Sequence, residues 1–158
     1  MSIKFIVDNN VGKLAKWLRV LGYDTLFINP IADDELVRIA LSEGRIILTK
    51  DTQILRRRVA MTGQVRVIYV ESDSIREQLR QVIEALELDH RSLRFSRCLE
   101  CNEPLIRQER EQVRNRVPSY VYQTQAQYMS CPRCGRIYWR GTHWSRMKGE
   151  IERVMEGS

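Results

Sequence analysis

Two apolar stretches of this chain stop on a carboxylate. "KFIVDNN" runs apolar from Phe5 to Val7 and ends at Asp8; "RIILTKD" runs apolar from Ile46 to Thr49 and ends at Asp51. A third acidic segment, "ADDELV", offers Asp33, with Asp34 and Glu35 competing for the same place. Carboxylates gathered at one point repel one another unless a cation joins them. A divalent cation, held by oxygen ligands, fits such a set. Each aspartate also has a plainer reading: Asp33 or Asp34 as a helix cap, Asp51 as the cap of a helix starting at Thr52, Asp8 as the start of a turn. Glu71 and Asp73 stand further along as outer acidic candidates.

Four cysteines make the second set. Cys98-x-x-Cys101 and Cys131-x-x-Cys134 are two CxxC pairs with 29 residues between them. Each pair presents two thiolates to one tetrahedral Zn²⁺, and four thiolates fill its coordination sphere, so this zinc is expected to be structural. The alternative is a buried or redox-active set, but a redox pair needs only one CxxC. Gly135 in "CPRCG" suits a tight turn beside the metal.

Elements that position these residues follow from periodicity. Ile3–Val7, "DTLFI", Ile46–Thr49 and "VRVIYV" read as strands. Between them lie the helical patterns "VGKLAKWLRVLG", a segment from Asp33 or Asp34 through Ser42, and "TQILRRRVAMTG"; "SIREQLRQVIEALEL" follows the last strand. Alternation of strand and helix predicts a parallel sheet covered on both faces, with the carboxyl ends of the strands along one edge. Open sheets of this kind bind ligands at that edge. Asp8 and Asp51 are expected there, and Asp33 in the loop leading from the second strand. After residue 92 the pattern changes. Residues 102–130, with "VPSYVYQT", are expected to form the strands of a small ribbon, and "THWSRMKGEIERVMEG" a closing helix.

The net charge is +6, unevenly spread: residues 1–92 hold 14 Lys/Arg against 13 Asp/Glu, residues 93–158 hold 12 against 7. A basic C-terminal part either contacts nucleic acid or forms a solvated basic face. Lys13 at the head of the first helix and the Arg56–Arg58 run are either solvated helix surface or phosphate contacts, and His143 in "RGTHW" either touches RNA or closes a turn. Tyr120, Tyr122, Tyr138 and Trp139 either stack on bases or form the ribbon's core. No apolar run approaches the roughly 18 residues of a membrane span, and "MSIKFIVDNN" is too short and polar for a signal peptide. The expected location is the cytoplasm, where disulfides are rare.

Taken together, "FIVDNNVGKLAKWLRVLGYDT", "DDELVRIALSEGRIILTKD", "RCLEC" and "CPRCGRIYWRGTHWSRM" resemble the Mut-seven C-terminal ribonuclease domain family, in the same order from Phe5 to Met147. The resemblance implies a PIN-like nuclease domain, here residues 1–92, followed by a small four-cysteine zinc ribbon and helix, residues 93–158. It also implies metal-dependent RNA cleavage. The family's first-strand aspartate matches Asp8. The aspartate opening its second acidic segment matches Asp33, and that of its Thr-Arg-Asp motif matches Asp51. Lys50 replaces the arginine, keeping the charge and losing the bidentate fork. Catalytic and Mg/Mn-holding residues are therefore expected at Asp8, Asp33 and Asp51, and zinc at the four cysteines. RNA contacts are expected at Lys13, Lys50, Arg56, Arg136 and His143. The rival is a PIN-like module without catalysis that binds RNA or protein.

Overall fold

A computed structural model describes residues 2–92 and 96–156. Four strands, β1 (Lys4–Val7), β2 (Asp24–Leu26), β3 (Ile46–Thr49) and β4 (Val67–Tyr69), form a parallel sheet in the order β2-β1-β3-β4. Phe5 lies opposite both Thr25 and Ile46, and Leu48 opposite Ile68. Side chains alternate across a strand, so each strand feeds two cores. Phe5, Val7 and Leu48 face one side, where α1 (Lys13–Val20), α5 (Ile75–Leu86) and α7 (Thr142–Glu156) pack. Ile6 and Ile47 face the other, against α2 (Asp33–Glu43) and Ile54 of α3 (Thr52–Leu55). The fold is thus an α/β parallel sheet flanked by helices, as the strand–helix alternation predicts.

The closing helix packs back on this sheet. Met147 and Ile151 of α7 share a core with Leu14 and Leu79. Burial of each contributes about 1.5–3 kcal/mol. The boundary expected after Ser92 falls at residues 93–95, outside the described residues. Beyond it, β5 (Ile106–Gln108), β6 (Tyr128–Ser130) and β7 (Ile137–Tyr138) make a small antiparallel sheet, with α6 (Ser119–Thr124) between β5 and β6.

Four local expectations change. "VPSYVYQT" is helical at α6 rather than ribbon strand. Its alternating Val and Tyr favour a strand, but buried Tyr128 donates its hydroxyl to the carbonyls of Val121 and Gln125 (3.1 and 2.9 Å) and Arg110 donates to that of Tyr122, which satisfies the helix end. The segment expected as one helix after Thr52 breaks at Arg57, whose backbone is extended, and resumes as α4 (Arg58–Met61). The first helix starts at Lys13, after a 3-10 turn over Asn9–Val11. Asp33 is the first residue of α2 rather than a loop residue, and Ala32, not Asp33 or Asp34, is the N-cap.

Candidate functional site

β1 and β3 are neighbours, and the chain leaves β1 toward β2 on one side and enters β3 on the other. Their carboxyl ends are therefore the switch point of the sheet. The backbone N–H of Asp8 still donates to Leu48 O (2.9 Å), so Asp8 stands one step past β1. Asp51 stands two steps past β3, and Asp33 opens α2. The three aspartates each offer a carboxylate oxygen, and these oxygens lie within 4.8 Å of one another.

Thr49 holds two members of the group. Its hydroxyl donates to Asp8 Oδ2 (2.6 Å) and accepts from the Asp51 N–H (2.9 Å). The Asn9 N–H donates to Asp8 Oδ1, and the Gln53 N–H to Asp51 Oδ1 (2.8 and 2.9 Å). Asp51 is thus the N-cap of α3 and a member of the cluster at once. Asp8 is only 5% exposed, which is costly for a lone charge and tolerable when hydrogen-bonded. Burial, then the charges of Asp51 and Asp8, push the Asp33 carboxyl above its ordinary pKa, opposed by Arg57. Crowded hard-oxygen donors of this kind suit Mg²⁺ or Mn²⁺.

Neighbouring charges are paired around this edge. Lys50 pairs with Asp73, so Asp73 is turned to the lysine, and the Lys50 N–H donates to Asn10 Oδ1 (3.3 Å). Arg57 pairs with Asp34 (2.5 Å), which separates Asp34 from its neighbour Asp33 in role. Among the described residues the acidic cluster comprises Asp8, Asp33 and Asp51, without Asp34, Glu35, Glu71 or Asp73. Lys13 is exposed at the head of α1, and Arg56 exposed at the end of α3. Arg136 and His143 are exposed elsewhere, along a groove beside the ribbon. Sequence reasoning did not single out Thr49 or Arg57 individually. The Thr-x-Asp spacing carries a signal for Thr49, since a hydroxyl two residues before an aspartate reaches its N–H. Arg57 stood only as one of the Arg56–Arg58 run, because its pairing with Asp34 depends on the break after α3.

The four cysteine sulfurs also lie within 4.8 Å of one another. Cys98 Sγ is 3.8 Å from Cys134 Sγ. That matches the edge, about 3.8 Å, of a tetrahedron with Zn–S bonds of about 2.3 Å. Burial raises the Cys98 pKa, but hydrogen bonds from the Tyr138 hydroxyl (3.1 Å) and nearby backbone N–H groups outweigh it and bring it down to about 7. Burial and contacts with the other thiols push Cys101 up to about 12. Four crowded thiols cannot all ionise unaided, and a bound cation reverses that balance. The donor set fits zinc.

Among the described residues no helix is long and apolar enough to cross a membrane. No curated protein and no solved structure matches the chain. A family model, the Mut7-C RNAse domain, matches residues 3–151. With the parallel sheet, its acidic edge and the cysteine cluster in that span, the chain belongs to the Mut7-C RNAse domain family.

Proposed function

We propose that the protein is a metal-dependent ribonuclease that hydrolyses RNA phosphodiester bonds at the acidic edge. The carrying observation is the convergence of Asp8, Asp33 and Asp51 from three elements to within ligand-sharing distance at the switch point of the sheet. The family description supports the same activity. Residues 1–92 then carry the chemistry, and residues 93–158 carry the structural zinc and grip the RNA backbone.

The three carboxylates hold the cation, Mg²⁺ or Mn²⁺. When bound it supplies the positive charge that phosphodiester hydrolysis needs at the scissile phosphate. Thr49 fixes the Asp8 carboxylate and the Asp51 backbone, so the acidic edge is preformed. Lys13, Lys50 and Arg56 lie near that edge as cationic contacts for the flanking phosphates. Cys98, Cys101, Cys131 and Cys134 hold zinc and keep the ribbon folded.

Asp51→Asn tests the reading, because asparagine caps a helix about as well as aspartate. The fold survives, and loss of one negative charge from the cluster makes the metal-free protein slightly more stable. Cleavage of a labelled RNA with Mn²⁺ should fall at least about a hundredfold, more than the loss of an outer partner to a metal ligand. Wild-type cleavage by this variant, still abolished by chelator, refutes the assignment of Asp51. Binding without cleavage by the wild type in any divalent metal favours the non-catalytic rival.

A further inference from the structure

A groove of about 720 Å³ runs between α1, the ribbon and the start of α7. Its charged lining is mostly cationic: Lys16, Arg97, Arg136 and Arg146 against Glu100 alone, with Arg19 buried beneath. Two of the chain's three tryptophans, Trp139 and Trp144, line it. So does Tyr120, whose ring stands out at 69% exposure. Trp139 is anchored on one side by the small core of Val113, Val121 and Tyr128. Gly141 leaves room for it, since a Cβ there would come within 2.8 Å of the indole nitrogen. Arg140 and Lys148 each lie 5.4 Å from the centre of the Trp144 ring. A second pocket of about 290 Å³ shares Tyr138 and Trp139 and adds Arg107 and Arg140, so the basic and aromatic surface continues past Trp139.

We propose that this groove binds a single-stranded RNA segment, its bases stacked on Tyr120, Trp139 and Trp144 and its phosphates met by Lys16, Arg136 and Arg146. The choice of occupant rests on charge and shape together. An anionic backbone answers the cationic lining, and planar bases answer a fixed indole and an outstanding phenol. An acidic peptide would use the charges and leave the rings idle. An RNA duplex has its bases already stacked and presents mainly phosphates and sugars. Lys16 lies one helical turn from Lys13, on the same side of α1. A strand in the groove can therefore pass along α1 toward the acidic edge. This deepens the ribonuclease reading and rests on RNA being its substrate: the groove holds the unpaired strand beside the bond to be cut.

The experiment uses the full chain with chelator, so that binding is read without cleavage. A single-stranded uridine 12-mer, the same length of RNA duplex and polyglutamate are titrated separately. Quenching of tryptophan emission and fluorescence anisotropy are the readouts. The single strand should quench the emission and bind tighter than either competitor, with a salt-dependent affinity. The Tyr120→Ala/Arg136→Ala pair changes two exposed side chains, and should weaken binding by about tenfold or more from the lost stacking alone. Equal binding of the duplex, displacement of the single strand by polyglutamate, or unchanged affinity in the double variant each overturn the groove. Metal-dependent cleavage is measured in parallel. Cleavage with an indifferent groove removes this inference and leaves the nuclease; a working groove with no cleavage does the reverse.

Discussion

The two cysteine knuckles share one backbone and differ in the residue that follows the second cysteine. In each, the N–H of the second cysteine donates to the first cysteine's sulfur at 3.4 Å. In each, the next residue donates its N–H to the first cysteine's carbonyl at 2.9 Å. That residue has a positive φ in both, 66° at Asn102 and 78° at Gly135. Glycine is the expected occupant, and the second knuckle has it. The first has asparagine, one of the few other residues that tolerate this conformation. Its surroundings give the reason. Asn102 is buried against the edge strand β2, where its Oδ1 accepts from the Thr25 N–H (2.8 Å) and its Nδ2 donates to Asp24 Oδ1 (2.7 Å). Arg19 completes the contact by donating to the carbonyls of Thr25 (3.0 Å) and Leu99 (2.7 Å). The first knuckle thus closes the open edge of the sheet, which protects it from pairing with other chains. The second knuckle is exposed at Gly135, where the guanidinium of Arg116 donates to the carbonyl (3.1 Å). The Cys-x-x-Cys turn sets the backbone of both; the neighbouring surface sets the side chain.

Exchanging the two residues breaks this comparison most sharply. Asn102→Gly keeps the backbone and strips the contact, leaving the buried Thr25 N–H without its acceptor. The expected cost is about 1–3 kcal/mol, read as a drop in the Tm of zinc-loaded protein of about 2–4 °C per kcal/mol. An unchanged Tm means that the knuckle does not brace β2.

Acid should weaken the same contact. Burial raises the Asp24 pKa, but hydrogen bonds from Arg45 and Asn102 outweigh it and leave it below the ordinary value. A carboxyl depressed by folding stabilises the protein above its unfolded pKa, about 3.9, and that contribution is lost as pH falls through the folded value. Asp24→Asn should therefore cost about 1 kcal/mol near pH 6, the scale of one hydrogen bond. The difference from wild type should shrink as pH falls below about 4, where Asp24 of the unfolded chain takes up a proton before the folded carboxylate does. Denaturant unfolding of both proteins across that range is the measurement; a difference that grows with acid contradicts the sign.

The smallest effect belongs to Gly135→Asn. Asparagine accepts the positive φ, and the nearest atom to a new Cβ is Arg116 Nη2 at 3.9 Å. A change within about 0.5 kcal/mol is expected, as for other surface substitutions. A loss as large as that of Asn102→Gly would show that the conformation, rather than the contact with β2, decides the cost.

What the sequence determined by itself was whatever depends on neighbours in the chain. Strand β3 reads directly as Ile46–Thr49, because a short apolar run ending on a polar turn needs no distant information. Both CxxC pairs are legible because two thiolates three residues apart can meet one ion wherever the loop lies. Asp8 and Asp51 are legible as strand-end carboxylates for the same local reason. Tertiary structure alone decided the rest. Spacing left Asp33, Asp34 and Glu35 as alternatives; the start of α2 beside β1 and β3 brings Asp33 to Asp8 and Asp51 and leaves Asp34 to Arg57. "VPSYVYQT" becomes a helix because Tyr128 and Arg110 satisfy its end. Asn102 becomes a brace, and residues from α1, the ribbon and α7 become one groove, because chain segments far apart in sequence close on one another. Local periodicity encodes which face of an element is apolar; only packing decides which polar groups then meet.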